Sequence, residues 1–255
     1  MKISLNNKFP KLVFVIGFCF FGTAPFIKAQ GFIDIESGAV FTGYNNVRIP
    51  GDAGTLFSLK NDLKPNPNAF VRLRAGYTIK NRHTISALYA PLKVESNGTI
   101  NKLIDFEGVV FPSNTLVNGS YKFNSYRLTY RYDIVKKPNF EFGFGFTAKI
   151  RDAEIALKGQ GLSASKKNVG FVPIINFRLN WKLNEKVGIL FEGDALAAPQ
   201  GRAEDVMIAT TYKFSNNFTG RLGYRVLEGG ANNNEVYNFA LFHYASVGVL
   251  YTINP

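Results

Sequence analysis

Seven arginines stand at every second position among apolar side chains: Arg72 and Arg74, Arg127 and Arg131, Arg178, Arg221 and Arg225. Asp133 follows in the same segment as Arg127 and Arg131, and Glu141, Glu192, Asp194 and Asp205 occupy matching positions in other segments. Confined together, such groups have two uses. Guanidinium groups grip carboxylates through paired, charge-assisted hydrogen bonds and build a rigid network. Left unpaired along a passage, they draw anions. Nucleophilic or metal chemistry has less support. His83 and His243 are the only histidines, and neither has acids at ligand spacing. Ser246 follows His243 by three residues, which in an extended chain puts the two on opposite faces. No glycine-rich phosphate loop and no nucleic-acid module appears. The residues therefore assign no catalytic group, no cofactor and no metal.

The elements that position the charges show in FEFGFGFTAKI, residues 140–150. Phe140, Phe142, Phe144, Phe146, Ala148 and Ile150 alternate with Glu141, Gly143, Gly145, Thr147 and Lys149. A helix would scatter the four phenylalanines around its axis, and its two glycines would weaken it by about 1 kcal/mol each. A strand sorts them onto two faces. The glycines then leave room on the polar face for long arginines from neighbouring strands. Similar alternation recurs around Ile33–Phe41, Val71–Ile79, Arg82–Leu92, Tyr126–Ile134, Phe171–Trp181, Val187–Ala195, Val206–Phe214, Phe218–Val226 and Tyr237–Tyr251, which makes ten candidate strands. Each meets the ~9–11 residues that a tilted membrane-spanning strand needs. Short connections at 81–82, 135–138, 184–186 and 215–217 alternate with longer ones near 46–67, 96–117, 155–168 and 229–235, with a tight exception near 198–201. Short periplasmic turns and longer outer loops are the signature of a transmembrane barrel.

Residues 1–29 read as a cleaved secretory leader. Lys2, Lys8 and Lys11 precede the apolar run Leu12–Phe21, and Ala29 precedes the cut. The run is short of the ~20 residues of a membrane helix, and Pro25 follows it. The leader takes the only cysteine, Cys19, and four lysines with it. The formal charge of +12 becomes +8, and the mature chain, residues 30–255, has neither a disulfide nor a thiolate ligand. With no later run of helical-span length, insertion in a membrane requires a closed barrel. A secreted sandwich is the competing fold. Tyr132, Trp181, Tyr212, Phe214 and Tyr251 cluster at strand ends beside the short turns, as in an interfacial aromatic girdle, and favour the barrel. The expected fold is all-β: one antiparallel up-and-down transmembrane barrel of about ten strands, with eight to twelve allowed.

From the leader to the closing NFALFHYASVGVLYTI, the layout resembles the small outer-membrane β-barrel proteins of Gram-negative bacteria. The KAQ junction and the Phe/Tyr/Asn-rich strands resemble those of Bacteroidota. The chain departs from that pattern in ending on Asn-Pro where such barrels end on Phe. The resemblance implies an outer-membrane location and contact with lipid and lipopolysaccharide. Two enzyme groups share the architecture. The lipid A deacylases place His and Ser two apart on one face, whereas here Ala245 is two after His243. The omptin proteases need an acid-and-histidine cluster at the rim, and no pair matches.

The expected function is therefore a non-enzymatic outer-membrane barrel, structural, accessory or partner-binding, with a charged and plugged lumen. A small anion-biased diffusion channel is the alternative, and a lipid-modifying enzyme a distant one. The apolar stretch 101–119, with Phe106, Val109, Val110 and Phe111, either contacts another envelope protein or folds into the barrel mouth. Ser163–Lys167 form a basic loop, solvated or set against lipopolysaccharide phosphates.

Overall fold

The structure is a computed structural model that describes residues 29–199 and 201–253. The leader expected over 1–29 lies outside the described residues except for Ala29. Ten strands form the wall: β1 (Ala29–Arg48), β2 (Asn68–Ile79), β3 (His83–Ala90, continued as Lys93–Ile100), β4 (Thr115–Lys136), β5 (Phe140–Gly159), β6 (Leu162–Lys182), β7 (Val187–Ala198), β8 (Gly201–Lys213), β9 (Phe218–Asn232) and β10 (Tyr237–Ile253). Every sequential pair is antiparallel. β10 closes the sheet on β1, from Gly31↔Ile253 to Arg48↔Tyr237. Closure removes the unpaired edges that lipid cannot tolerate. The turns after β2, β4, β6 and β8 are three or four residues long and share one end with both termini of the barrel, which makes it the periplasmic end.

Alternation sets the faces as expected. Tyr77, Leu128, Phe146, Ile208, Leu222 and Val247 point outward and are exposed, while Arg72, Arg127, Thr147, Asp205 and Arg225 point inward and are buried. A soluble sheet would cover that outer band; here it meets hydrocarbon. Tyr132, Trp181, Tyr212, Phe214 and Tyr251 ring the periplasmic end, where Tyr212 packs on Phe214 and Phe218 on Tyr251. Tyr89 stacks on Tyr126 toward the other interface.

The outer connections differ from expectation. Residues 155–168 are strand: β5 and β6 run on to a two-residue turn at Gln160-Gly161, where φ of 48° and 78° fits a type I′ hairpin. The Ser163–Lys167 segment therefore belongs to β6, with Lys166 bound to Glu107 at 3.2 Å and Lys167 to Glu154 at 3.7 Å. The segment 229–235 is likewise mostly strand, and the long connections shrink to 49–67 and 101–114. The physical reason is a change of phase. Below Ile150 the even positions of β5 are apolar and face out. Above it, Ile155 and Leu157 are apolar and buried inside, while Lys158 faces solvent. β4 switches the same way, with Val117 and Tyr121 buried inside above Tyr126.

What those inward residues meet is a cap. Residues 49–67 and 101–114 fold into the barrel mouth. Phe57–Ser58 pairs with β1, Lys64–Pro65 pairs with β3, and Ile104–Phe106 forms a hairpin with Val109–Phe111. Phe57, Leu59, Leu63, Ile104, Phe106 and Phe111 make one core with Val117, Ile155 and Leu157 of the wall. Of the two readings of the stretch, the structure takes the one that folds it into the mouth, and Phe106 and Phe111 are therefore not an exposed contact. Phe106 and Phe111 are fully buried, Val109 packs against the same core, and Val110 stays exposed. An isolated apolar loop in water lowers its free energy by burying those rings, and the open mouth offers the surface.

Candidate functional site

The middle of the lumen is an ion-pair belt. Asp205 on β8 is its hub: it accepts from Arg72 at 2.8 Å, Arg127 at 2.5 Å and Arg225 at 2.6 Å. Arg225 also reaches Glu36 at 2.7 Å, and Arg127 reaches Asp194 at 2.6 Å. Arg74 donates to Glu192 at 2.9 Å, with Arg178 at 3.8 Å from the same carboxylate. Arg221 binds Asp34 at 2.6 Å and Glu36 at 3.2 Å. Neutral groups add hydrogen bonds: Thr147 and Asn176 donate to Asp194, and Ser246 donates to Glu36, while Arg72 Nε, Arg221 Nε and Asn176 Oδ1 stay buried without a hydrogen-bond partner. Arg225 is 1 % exposed and Asp205 2 %, so these charges are stable only because each is multiply paired.

Of the residues singled out from sequence, this belt joins Arg72, Arg74, Arg127, Arg178, Glu192, Asp194, Asp205, Arg221 and Arg225. Arg131 pairs locally with Asp133 at 3.3 Å. Glu141 does not join; it lies at the periplasmic rim between Lys136 and Lys182, each 3.7 Å away. Asp34 and Glu36 were missed. Their alternation with Ile33 and Ile35 was the signal that marked them as inward. The glycines act as expected. A Cβ on Gly143 would lie 2.4 Å from Asp133 Oδ1 and 2.8 Å from Arg131 Cδ. One on Gly248, between Glu36 and Arg221 in the ladder, would strike the Arg221 guanidinium at 2.7 Å.

The belt divides the lumen. Beside the belt lie small cavities of about 20 Å³, lined by Arg74, Glu192 and Asp205, and about 10 Å³, at Arg72 and Arg127. Toward the periplasm lies a cavity of about 150 Å³ between Arg178 and Arg221. Toward the outside lies a vestibule of about 460 Å³, in the part of the mouth that the cap leaves free. Its inner wall carries Lys149 and Arg151 beside Phe123, Leu196 and Leu227. At the rim the Lys122 ammonium, donating to Asp152, holds that carboxyl below the usual carboxylate range.

The histidines lie at opposite ends. His83 bonds Tyr130 at 2.9 Å near the periplasmic turns. His243 faces outward, hydrogen-bonded to Tyr224 and resting over Gly43, where β1 bulges between Thr42 and Tyr44. β10 itself runs without a bulge from His243 to Ser246, so Ser246 stays inside on Glu36. The two side chains do not meet.

No protein-family model matches the chain, and neither does any curated protein. Solved structures do. The outer membrane protease OmpT from Escherichia coli superposes with a TM-score of 0.56 at 12 % identity, over 88 % of this chain and 97 % of that one. The attachment invasion locus protein Ail of Yersinia pestis gives 0.40 at 10 % identity, over 88 % and 99 %. An outer membrane channel from Pseudomonas putida F1 gives 0.41 at 8 % identity, over 91 % and 97 %. The likeness to OmpT is one of fold. This chain is a closed antiparallel ten-stranded barrel of the Gram-negative outer-membrane type, and its apolar outer band places it in that membrane.

Proposed function

We propose that the protein is a non-enzymatic outer-membrane barrel that acts by binding at its outer face, with the lumen sealed by the ion-pair belt. Export under a leader over residues 1–29, and an origin among Bacteroidota-like bacteria, belong to the same reading. One observation carries it: the hub at Asp205, where three arginines from β2, β4 and β9 converge, with only small cavities of about 10 and 20 Å³ beside it. A passage for solutes needs a continuous wet path, and sites weak enough to release what they bind. Groups paired this tightly have neither.

A small anion-biased channel is the second reading. It draws on the cavities of about 460 and 150 Å³ that lie on either side of the belt. Anion bias has little support, because Asp34, Glu36, Asp133, Glu192, Asp194 and Asp205 nearly balance the seven arginines. Planar-bilayer recording decides between the two. The refolded protein is expected to insert without steady conductance. A stable open level with an anion-selective reversal potential under a salt gradient sinks the sealed-lumen reading.

A further inference from the structure

The β6–β7 ladder stops early. It runs from Lys182↔Gly188 up to Ile175↔Ala195, whereas β6 continues against β5 as far as Leu162. Among the described residues, the β7-facing edge of β6 above Ile175 has no strand partner. Pro173, two residues above the last pair, has no N–H to extend the ladder. The slot between the strands lies at the level of Phe171, which opposes Ile150 and through it Tyr126. That is the outer-leaflet end of the apolar band, and Phe171 and Val169 beside the slot are about two-thirds exposed. The vestibule is lined from both sides of the slot, by Val172 and Pro173 of β6 and by Leu196 and Ala198 of β7.

At the back of the vestibule stands Lys149. It is 2 % exposed, and its ammonium sits 4.8 Å over the Phe123 ring. Among the described residues it has no ion pair and no hydrogen bond, unlike the belt arginines below it. Arg151, two residues on along the same face, donates to Asn168 and, among the described residues, has no carboxylate partner; its Nε is buried without an acceptor. A buried cation without a counter-ion is costly unless something completes it.

We propose that the vestibule is a binding site for a single-chain amphiphile with one anionic head, of the fatty-acid class, which enters sideways from the outer leaflet through the slot between β6 and β7. The carboxylate pairs with Lys149 and Arg151, and the chain lies along Leu196 and Leu227. The volume of about 460 Å³ falls within the ~300–1,000 Å³ of small-molecule sites. The proposal deepens the binding reading above and rests on the sealed lumen, which makes the vestibule a blind cup. Conductance tests that seal separately: a silent barrel that binds no amphiphile removes this site and leaves the sealed-lumen reading standing.

The test titrates decanoate, decanol and inorganic phosphate by calorimetry into the full mature chain in phosphatidylcholine nanodiscs, against empty nanodiscs. Saturable decanoate binding at one per barrel is expected, with decanol at least tenfold weaker and phosphate silent. Lys149→Met should weaken decanoate roughly tenfold or more and leave decanol unchanged. Leu196→Trp, which fills the apolar side, should weaken both, and it keeps the test open if Lys149→Met fails to refold. Equal binding of decanoate and decanol, or phosphate binding as tight as decanoate, overturns the proposal. The source is read with a photoreactive fatty acid preloaded into the bilayer while a scavenger strips the water phase. Persistent labelling near Val172 supports entry from the leaflet, and labelling abolished by the scavenger overturns the sideways route.

Discussion

Arg225 shows how a single side chain holds this lumen. It joins Glu36 of β1 to Asp205 of β8 and is fully buried. Arg225→Met removes one partner and leaves two carboxylates short of a counter-charge. The expected loss is about 3–5 kcal/mol, far above that of a surface pair. It is read as a lower urea midpoint for the gel-mobility shift that separates folded from unfolded barrel. A midpoint within error of the parent would mean that the belt is not tight. Gly143 and Gly248 act in the opposite sense, by having no side chain. Gly248→Leu drives atoms into the Arg221 guanidinium, which must swing away from Glu36. A clear drop in refolding yield is expected. Leu222→Ala on the lipid face of the neighbouring strand is the control, which should refold near the parental yield.

At the scale of elements, the cap and the upper strands explain each other. Phe106 and Phe111 are the apolar anchors of the 104–111 hairpin, and Phe57 meets Phe106 edge-on at 5.8 Å between ring centres. Phe106→Ala should cost the cap about 3–5 kcal/mol, as for other buried aromatics. Because the barrel is held by its own ladder, the loss should be local. Limited proteolysis within 49–67 is expected to speed up by at least tenfold while the membrane-embedded strands stay protected. Equal cleavage of parent and variant would mean that the hairpin does not carry the cap. The phase change at Ile150 and Tyr126 marks where the wall leaves lipid, because there the apolar partner moves from outside to inside. That change is written in the sequence as a shift of apolar residues from even to odd positions in both strands. Reading 155–168 as loop overlooked it, because alternation was followed only as far as its phase held.

For the whole molecule, the seal and the cap are separate layers. Deleting the loop between β3 and β4 should remove residues 101–114 and spare Thr115–Gly119, which belong to β4. That variant is expected to remain silent in a planar bilayer, since the Asp205 hub lies below the cap. Steady conductance on deletion would make the cap the true plug and the belt a porous layer. A silent deletion, together with a parent that binds decanoate, would describe a barrel closed to flow and open to its own membrane.

By itself the sequence determined the covalent alternation, and with it the barrel. Period two over ten segments, a girdle of aromatics beside short turns, and inward arginines and acids are local facts of chain geometry, legible without coordinates. Partners across the lumen are not local. Arg72 meets Asp205 at a separation of 133 residues, and Arg225 meets Glu36 at 189, through a register that only closure of β1 on β10 sets. The fate of Phe106 and Phe111 depended on whether the mouth had room for them. The early end of the β6–β7 ladder depended on the short β7–β8 hairpin standing beside the long β5–β6 one. Those outcomes come from tertiary structure, because they follow from which surfaces closure brings face to face.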